Sequence, residues 1–217
     1  TAATDRGIRS YNWAHTTQHI LYPQDTGGDE NWRLPRVDLT TGETRDLTPL
    51  DGVQARLQEV SPKFPHEILV GLNDRDPRFH DLYRIAIETG DRRLVQVNEE
   101  FASFVTDEEY GVRFALRMTA DGGKEILRLT AEGRWAPFDR RPRADTLTPA
   151  AIDFDKPGRI LYGIDSRNRD TAALVALDVD TGARIVIAQD AQADVSDVMI
   201  HPPEKTGQAV AFTHARK

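Results

Sequence analysis

The sequence predicts an all-β fold of the β-propeller class, with about four complete four-stranded blades and part of a fifth. Two observations carry that prediction. A short apolar run returns as Ile20-Leu21-Tyr22, Ile68-Leu69-Val70, Val112-Arg113-Phe114 and Ile160-Leu161-Tyr162, in steps of 48, 44 and 48 residues. A turn marker keeps the same beat: Thr41-Gly42-Glu43, Thr89-Gly90-Asp91, Glu132-Gly133-Arg134 and Thr181-Gly182-Ala183. Short strands and glycine turns at a period of about 40–50 residues are the signature of propeller blades. Propellers have about four to eight blades, and both ends of the chain fall inside the repeat. The chain therefore reads as a fragment of a larger ring, about seven-bladed.

The first blade is expected over 8–49. Ile8–Trp13 alternates and carries two aromatics, as a half-buried strand does. His19–Gln24 suits a central strand, with Pro23 awkwardly placed at its end. The run Asp25-Thr26-Gly27-Gly28-Asp29 is a turn by composition. Trp32–Leu39 gives a third strand, Gly42 supplies the positive φ of a tight hairpin, and Glu43–Leu47 gives the outer strand. The second blade, 53–98, repeats this order with Arg56–Val60, Glu67–Leu72, Asp81–Ile87 and Arg92–Val97. The third, 101–140, uses Phe101–Val105, Val112–Met118, Glu125–Leu129 and Trp135–Phe138. The fourth, 147–190, uses Ala151–Phe154, Arg159–Ile164, Ala172–Leu177 and Arg184–Ala188. Part of a fifth, 194–217, begins with Val195–Ile200 and Gln208–Phe212. Residues 183–193 could pass for a short helix on composition, but the repeat places a strand there. No catalytic domain is expected in 1–217.

Composition narrows the partners. The net charge of −7 argues against a nucleic-acid surface. The basic cluster Arg140-Arg141-Pro142-Arg143 reads as a solvated loop. The absence of cysteine excludes disulfides, thiolate metal sites and a cysteine nucleophile, and fits a cytoplasmic protein. No apolar stretch is long enough for a membrane helix, and Thr1–Arg6 shows no leader.

No residue is nominated as catalytic, cofactor-binding or metal-ligating, and no cofactor is expected. The five serines, Ser10, Ser61, Ser103, Ser166 and Ser196, all lie outside a G-x-S-x-G elbow. The six histidines, His15, His19, His66, His80, His201 and His214, form no H-E-x-x-H pair. The acidic loop Asp25–Asn31 lacks the ligand spacing of a calcium loop. Asn73–Pro77 and Asp165–Asp170 are read as its equivalents, turns whose acids and arginines form surface ion pairs. Gly122-Gly123-Lys124 is read as a hairpin turn rather than a phosphate cradle. The aromatics Tyr11, Trp13, Tyr22, Trp32, Tyr83, Trp135 and Tyr162 are assigned to strands, packing between blades.

Several runs carry a family resemblance. They are Trp13-Ala14-His15, Ile20–Asp25, Gly28–Leu34, Val37-Asp38-Leu39, Asp46–Pro49, Gly71–Arg75, Asp81–Ile85 and Arg169–Leu174. Together they resemble the N-terminal propeller of the prolyl oligopeptidase (S9) family, in its acylaminoacyl-peptidase or dipeptidyl-aminopeptidase subgroup. The resemblance implies a partner, a C-terminal α/β-hydrolase domain of the parent chain, which holds the serine, aspartate and histidine of the triad. It also implies a gating role, admitting short peptide substrates. No position here matches a triad residue. One alternative is a stand-alone TolB- or WD-like propeller that binds another protein. Another is a sugar- or lactone-acting propeller enzyme with a channel metal. It would need acids and histidines at one phase of the inner strands, where Asn12, Glu59, Ser103, Asp153 and Asp197 are too mixed. Self-association through open propeller ends is expected, with contacts at Ile8–Trp13 and Val195–Phe212.

Overall fold

The computed structural model describes residues 7–146 and 151–214. Thr1–Arg6, position 147 and position 217 lie outside the described residues, and with them the expected start of the fourth blade and end of the fifth. Four four-stranded antiparallel sheets follow one another, then a two-stranded one. Within each, the strands are ordered as in the sequence. The first sheet is β1 (Asn12–Trp13), β2 (His19–Leu21), β3 (Pro35–Asp38) and β4 (Thr44–Asp46). The second is β5 (Ala55–Val60), β6 (Glu67–Asp76), β7 (Phe79–Ala86) and β8 (Arg92–Gln96). The third is β9 (Ser103–Thr106), β10 (Val112–Met118), β11 (Lys124–Leu129) and β12 (Trp135–Arg141). The fourth is β13 (Asp153–Phe154), β14 (Ile160–Asp165), β15 (Ala173–Asp178) and β16 (Arg184–Ala188). The last pair is β17 (Val195–Ile200) and β18 (Gly207–Phe212). The architecture is a β-propeller of four complete blades and part of another. Two compact units divide the chain at residues 112 and 113, inside the third sheet.

The glycine markers sit where a local rule puts them. Gly42, Gly90, Gly133 and Gly182 each join the third and fourth strands of a sheet with φ of +74°, +77°, +72° and +73°, the left-handed region that L side chains avoid. The preceding acid completes two of these turns: Asp38 Oδ1 accepts the N–H groups of Thr40 and Thr41, and Asp178 Oδ1 those of Asp180 and Thr181. A second recurrence was not visible in the sequence. The pairing of third and fourth strands slips by one residue at Leu82/Tyr83, Ile126/Leu127 and Leu174/Val175, so each of these outer strands carries a bulge.

In the first unit, Ile68, Val70 and Leu72 share one face of β6, as period-2 alternation requires. They join Leu21, Leu34, Leu47, Ile85 and Ile87 in a core between the first two sheets. Leu69, on the other face, is equally buried, so β6 is a central strand covered on both sides. In the second unit, Phe114 packs on Phe138 and Phe154 at ring separations of 4.8 and 6.2 Å. Leu174, Ile164, Ala172 and Val195 form a further core beneath Val210 and Phe212.

Several expectations are corrected. The strand expected over Ile8–Trp13 shortens to β1, which pairs only Asn12 with Leu21 and Trp13 with Ile20. Tyr11 and Trp13 are 63% and 54% exposed, so no burial holds the preceding residues in a ladder. Trp32–Leu39 shortens to β3, with a lone bridge between Gln24 and Arg33 before it. Asn73–Asp76 is strand, not turn, because β6 and β7 continue to a tight corner where Asp76 faces Phe79. The side chains of that extension pair with one another: Arg75 with Asp81, Arg78 with Asp76, and the Tyr83 hydroxyl with Asp74. Tyr22, Trp32, Tyr83, Trp135 and Tyr162 are only partly buried. The fully buried aromatics are Phe101, Phe104, Tyr110, Phe114 and Phe154.

Candidate functional site

The residue types that could do chemistry are used structurally. The Ser61 hydroxyl donates to the Glu108 carbonyl at 2.7 Å, that of Ser166 to Asp145 at 2.7 Å, and that of Ser196 to the Ala211 carbonyl at 3.1 Å. Their acceptors are carbonyls and a carboxylate, not an imidazole, so none is set up as a nucleophile. His19 is buried on β2, with Nδ1 2.9 Å from the Thr16 hydroxyl. Its Nε2 lies 3.6 Å from Glu88 and 3.9 Å from Asp38. His80 lies beside Gly71, where an added Cβ would come within 3.3 Å of the His80 Cβ. Burial, reinforced by the Arg56 charge, pulls the His80 pKa down to about 4. Among the described residues no group of three or more His, Asp or Glu is placed to hold a metal ion. The carboxylate of the acidic loop is turned inward on its own backbone: Asp29 Oδ1 accepts the N–H groups of Thr26 and Asn31.

The basic cluster is not a solvated loop. Arg140 and Arg141 lie on β12; Arg141 is 3% exposed and donates to the Ile164 carbonyl at 2.8 Å. Nearby, Arg167 bridges Asp165 and Asp139, and Arg184 reaches Asp139 at 2.7 Å. Burial pushes the Asp165 carboxyl up, but the hydrogen bonds and charge of Arg167 outweigh it and hold the pKa at about 2. These ion pairs are largely buried, whereas the sequence reading placed them on the surface.

The cleft that could receive a ligand lies in the first unit. It has a volume of about 650 Å³ and runs along β5 from Gln54 to Val60, facing Asn12, Pro23 and Trp32. As the terminal strand of its sheet, β5 pairs with β6 on one side only. A bulge between Leu57 and Glu59 advances the pairing by one residue. Arg56 then stands opposite Gly71 and Glu59 opposite Leu69, which places both charges on the same face of the sheet. The floor is ordered by amides. Gln54 accepts from Arg56 Nε at 2.9 Å and donates to the Glu30 carbonyl at 3.0 Å. Gln58 donates to the Phe104 carbonyl and the Thr106 hydroxyl, both at 3.2 Å. Arg9 lies 4.9 Å over the Trp32 ring. The cleft mixes these polar groups with Leu21, Pro23, Leu57 and Val60 and has Trp32 as its one aromatic plate, so it offers an extended ligand both hydrogen-bonding groups and apolar contact.

Of the inner-strand residues compared in the sequence, Asn12 and Glu59 come to this cleft; Ser103, Asp153 and Asp197 lie on the first strands of the other sheets. The sequence reading missed Gln54, Arg56 and Gln58. Their signal was a run of polar residues interleaved with the apolar ones of a strand otherwise patterned for a core.

No family model matches the chain. Over all 217 of its residues it is 42% identical to dipeptidyl aminopeptidase BIII of Pseudoxanthomonas mexicana, covering 32% of that protein. It is 28% identical to dipeptidyl peptidase family member 6 of Caenorhabditis elegans, with 97% of this chain and 30% of that protein aligned. The chain thus spans about a third of the length of the curated relatives it matches. Among solved structures it is similar to TolB from Acinetobacter baumannii, with a TM-score of 0.58 and 13% identity over 92% of this chain and 47% of that one. It is also similar to a prolyl endopeptidase, with a TM-score of 0.53 and 12% identity over 88% of this chain and 30% of that one. These structural likenesses establish the propeller fold alone. With 42% identity along its whole length, the chain is similar to a segment, about a third, of a dipeptidyl aminopeptidase, and the segment folds as a β-propeller.

Proposed function

We propose that the chain is the non-catalytic propeller portion of a serine peptidase and limits which peptides reach an α/β-hydrolase domain of the parent protein. One observation carries this reading: the full-length 42% match to a dipeptidyl aminopeptidase of which the chain covers 32%. The structural chemistry is in keeping with it, since the serine hydroxyls described above are bonded to backbone and carboxylate oxygens. The cleft along β5 is the surface we assign to passing peptides. Its exposed Arg56 and half-buried Glu59 match the charged ends of a peptide, and Gln54 holds the Arg56 guanidinium in place. A cytoplasmic setting is part of the same proposal.

Two measurements test it. The purified 217-residue chain should not turn over a chromogenic aminoacyl or dipeptidyl substrate. Turnover that survives repurification and is blocked by a serine-directed inhibitor would refute the non-catalytic role. In the full-length parent enzyme, Arg56→Ala with Gln58→Ala should alter the ratio of kcat/KM for long and short peptides. An unchanged ratio would remove the cleft from the gating path.

A further inference from the structure

The last strands of the four complete sheets differ in one respect. Each is a sheet edge, with one side unpaired. Natural proteins blunt such edges with charge or proline, because an open row of N–H and C=O groups invites another strand. β4 is Thr44-Arg45-Asp46, β8 opens on Arg92-Arg93, and β12 carries Pro137, Asp139, Arg140 and Arg141. β16 reads Arg184-Ile185-Val186-Ile187-Ala188, with no proline and no charge after its first residue. Ile185, Val186 and Ile187 are 69%, 42% and 47% exposed. The bulge does not set β16 apart, since β8 and β12 share it.

The charges flanking this edge are self-complementary. Arg184 opens the strand and Asp190 follows two residues after its end. Arg184 meets Asp139 and Asp190 meets His214 within the chain, yet their side chains remain 36% and 30% exposed. A second copy laid antiparallel brings the arginine end of one strand to the aspartate end of the other. A parallel copy would set like against like.

We propose that β16 is a self-association edge. Two copies of the chain pair through antiparallel β16 strands, about a two-fold axis near Ile187 that sets Arg184 of each against Asp190 of the other, joining two fourth sheets into one. Two five-residue strands bury less than the roughly 1,200–2,000 Å² of a standard stable interface, so the dimer dissociates on dilution. This contact is separate from the open propeller ends.

Light scattering over a concentration series tests it. The mass should rise from the 24.4 kDa of one chain towards twice that value. The double variant Ile185→Lys with Ile187→Lys should lose the rise while melting at the same temperature. The chain has no cysteine, so single-cysteine variants give a second readout that does not depend on the lysine pair. Ile187→Cys, which faces its own copy across the axis, should form disulfide dimers under mild oxidation faster than Met199→Cys, which is 60% exposed on β17. A monomer at every concentration would overturn the proposal and leave the edge to another chain. A doubled mass untouched by the lysines, or cross-linking no faster than at Met199, would overturn it by moving the contact elsewhere.

Discussion

The Nε–H of Arg36 donates to the carbonyl oxygen of Ile87 at 3.1 Å, and Arg128 donates through Nη1 to that of Val179 at 2.8 Å, each across 51 residues. The three arginines 36, 84 and 128 are spaced by 48 and 44 residues, the beat of the apolar motif. Arg84, at the middle position, lies 3.8 Å over the Phe64 ring and 5.1 Å over Tyr110 while pairing with Glu67. A third-strand arginine in one sheet therefore fastens the chain just beyond the third strand of the next, in each unit separately.

Removing the Arg36 link should be costly. Arg36 is 4% exposed, so Arg36→Ala leaves the Ile87 carbonyl without its donor and opens a void. The expected loss is about 1–3 kcal/mol. It should appear as a lower urea midpoint with unchanged m-value. Arg36→Lys should not restore it, because an ammonium on a flexible stem cannot reproduce the planar Nε–H geometry.

Acid should weaken the second unit through Asp165. Its folded pKa of about 2 lies below the ordinary carboxylate value of 3.8. A depressed carboxyl contributes stability that is present above the unfolded pKa and is lost as pH falls through the folded one. The contribution is about 2 kcal/mol. Stability should therefore fall between about pH 4 and pH 2, and Asp165→Asn should flatten that part of the profile while lowering stability at pH 7.

His80 should weaken the first unit at milder acidity. Its pKa lies at about 4 in the fold against an ordinary 6.5. For a base depressed in this way the neutral form is favoured by folding, so the stability is present above pH 6.5 and is lost as pH falls towards 4. The imidazole resonances of His80 should titrate well below those of an exposed histidine in a proton NMR series, and His80→Gln should remove this segment of the pH–stability curve.

The hairpin glycines should cost backbone strain alone. At Gly133 an added Cβ meets nothing within 4 Å, yet φ is +72°. Gly133→Ala should lower stability by about 1–2 kcal/mol, measured by thermal melting. At Gly7 the space is equally open and φ is not positive, so Gly7→Ala should leave the melting temperature unchanged. Gly123 is a harsher case: a Cβ there would stand 2.6 Å from the Arg141 carbonyl oxygen, and Gly123→Ala should be more damaging than Gly133→Ala.

The sequence by itself determined the blade order, the four Gly42-type turns and the central strands at Ile68 and Ile160. These follow from local rules: a positive φ needs glycine, and a strand covered on both faces needs an unbroken apolar run. It also carried the resemblance to dipeptidyl aminopeptidases, because the loop-level motifs run along most of the chain, as the 42% identity does. Only the tertiary structure decided which polar groups are buried. Arg141 looks like part of a basic loop until the Ile164 carbonyl is brought to it. Tyr11 and Trp13 look like core until the described residues leave them more than half exposed. The β5 cleft depends on a one-residue bulge that turns Arg56 and Glu59 to one face, and register of that kind is set by pairing with β6, not by the strand alone. The partners that decide these cases lie more than ten residues away, with no spacing rule to connect them, so only the folded chain brings them together.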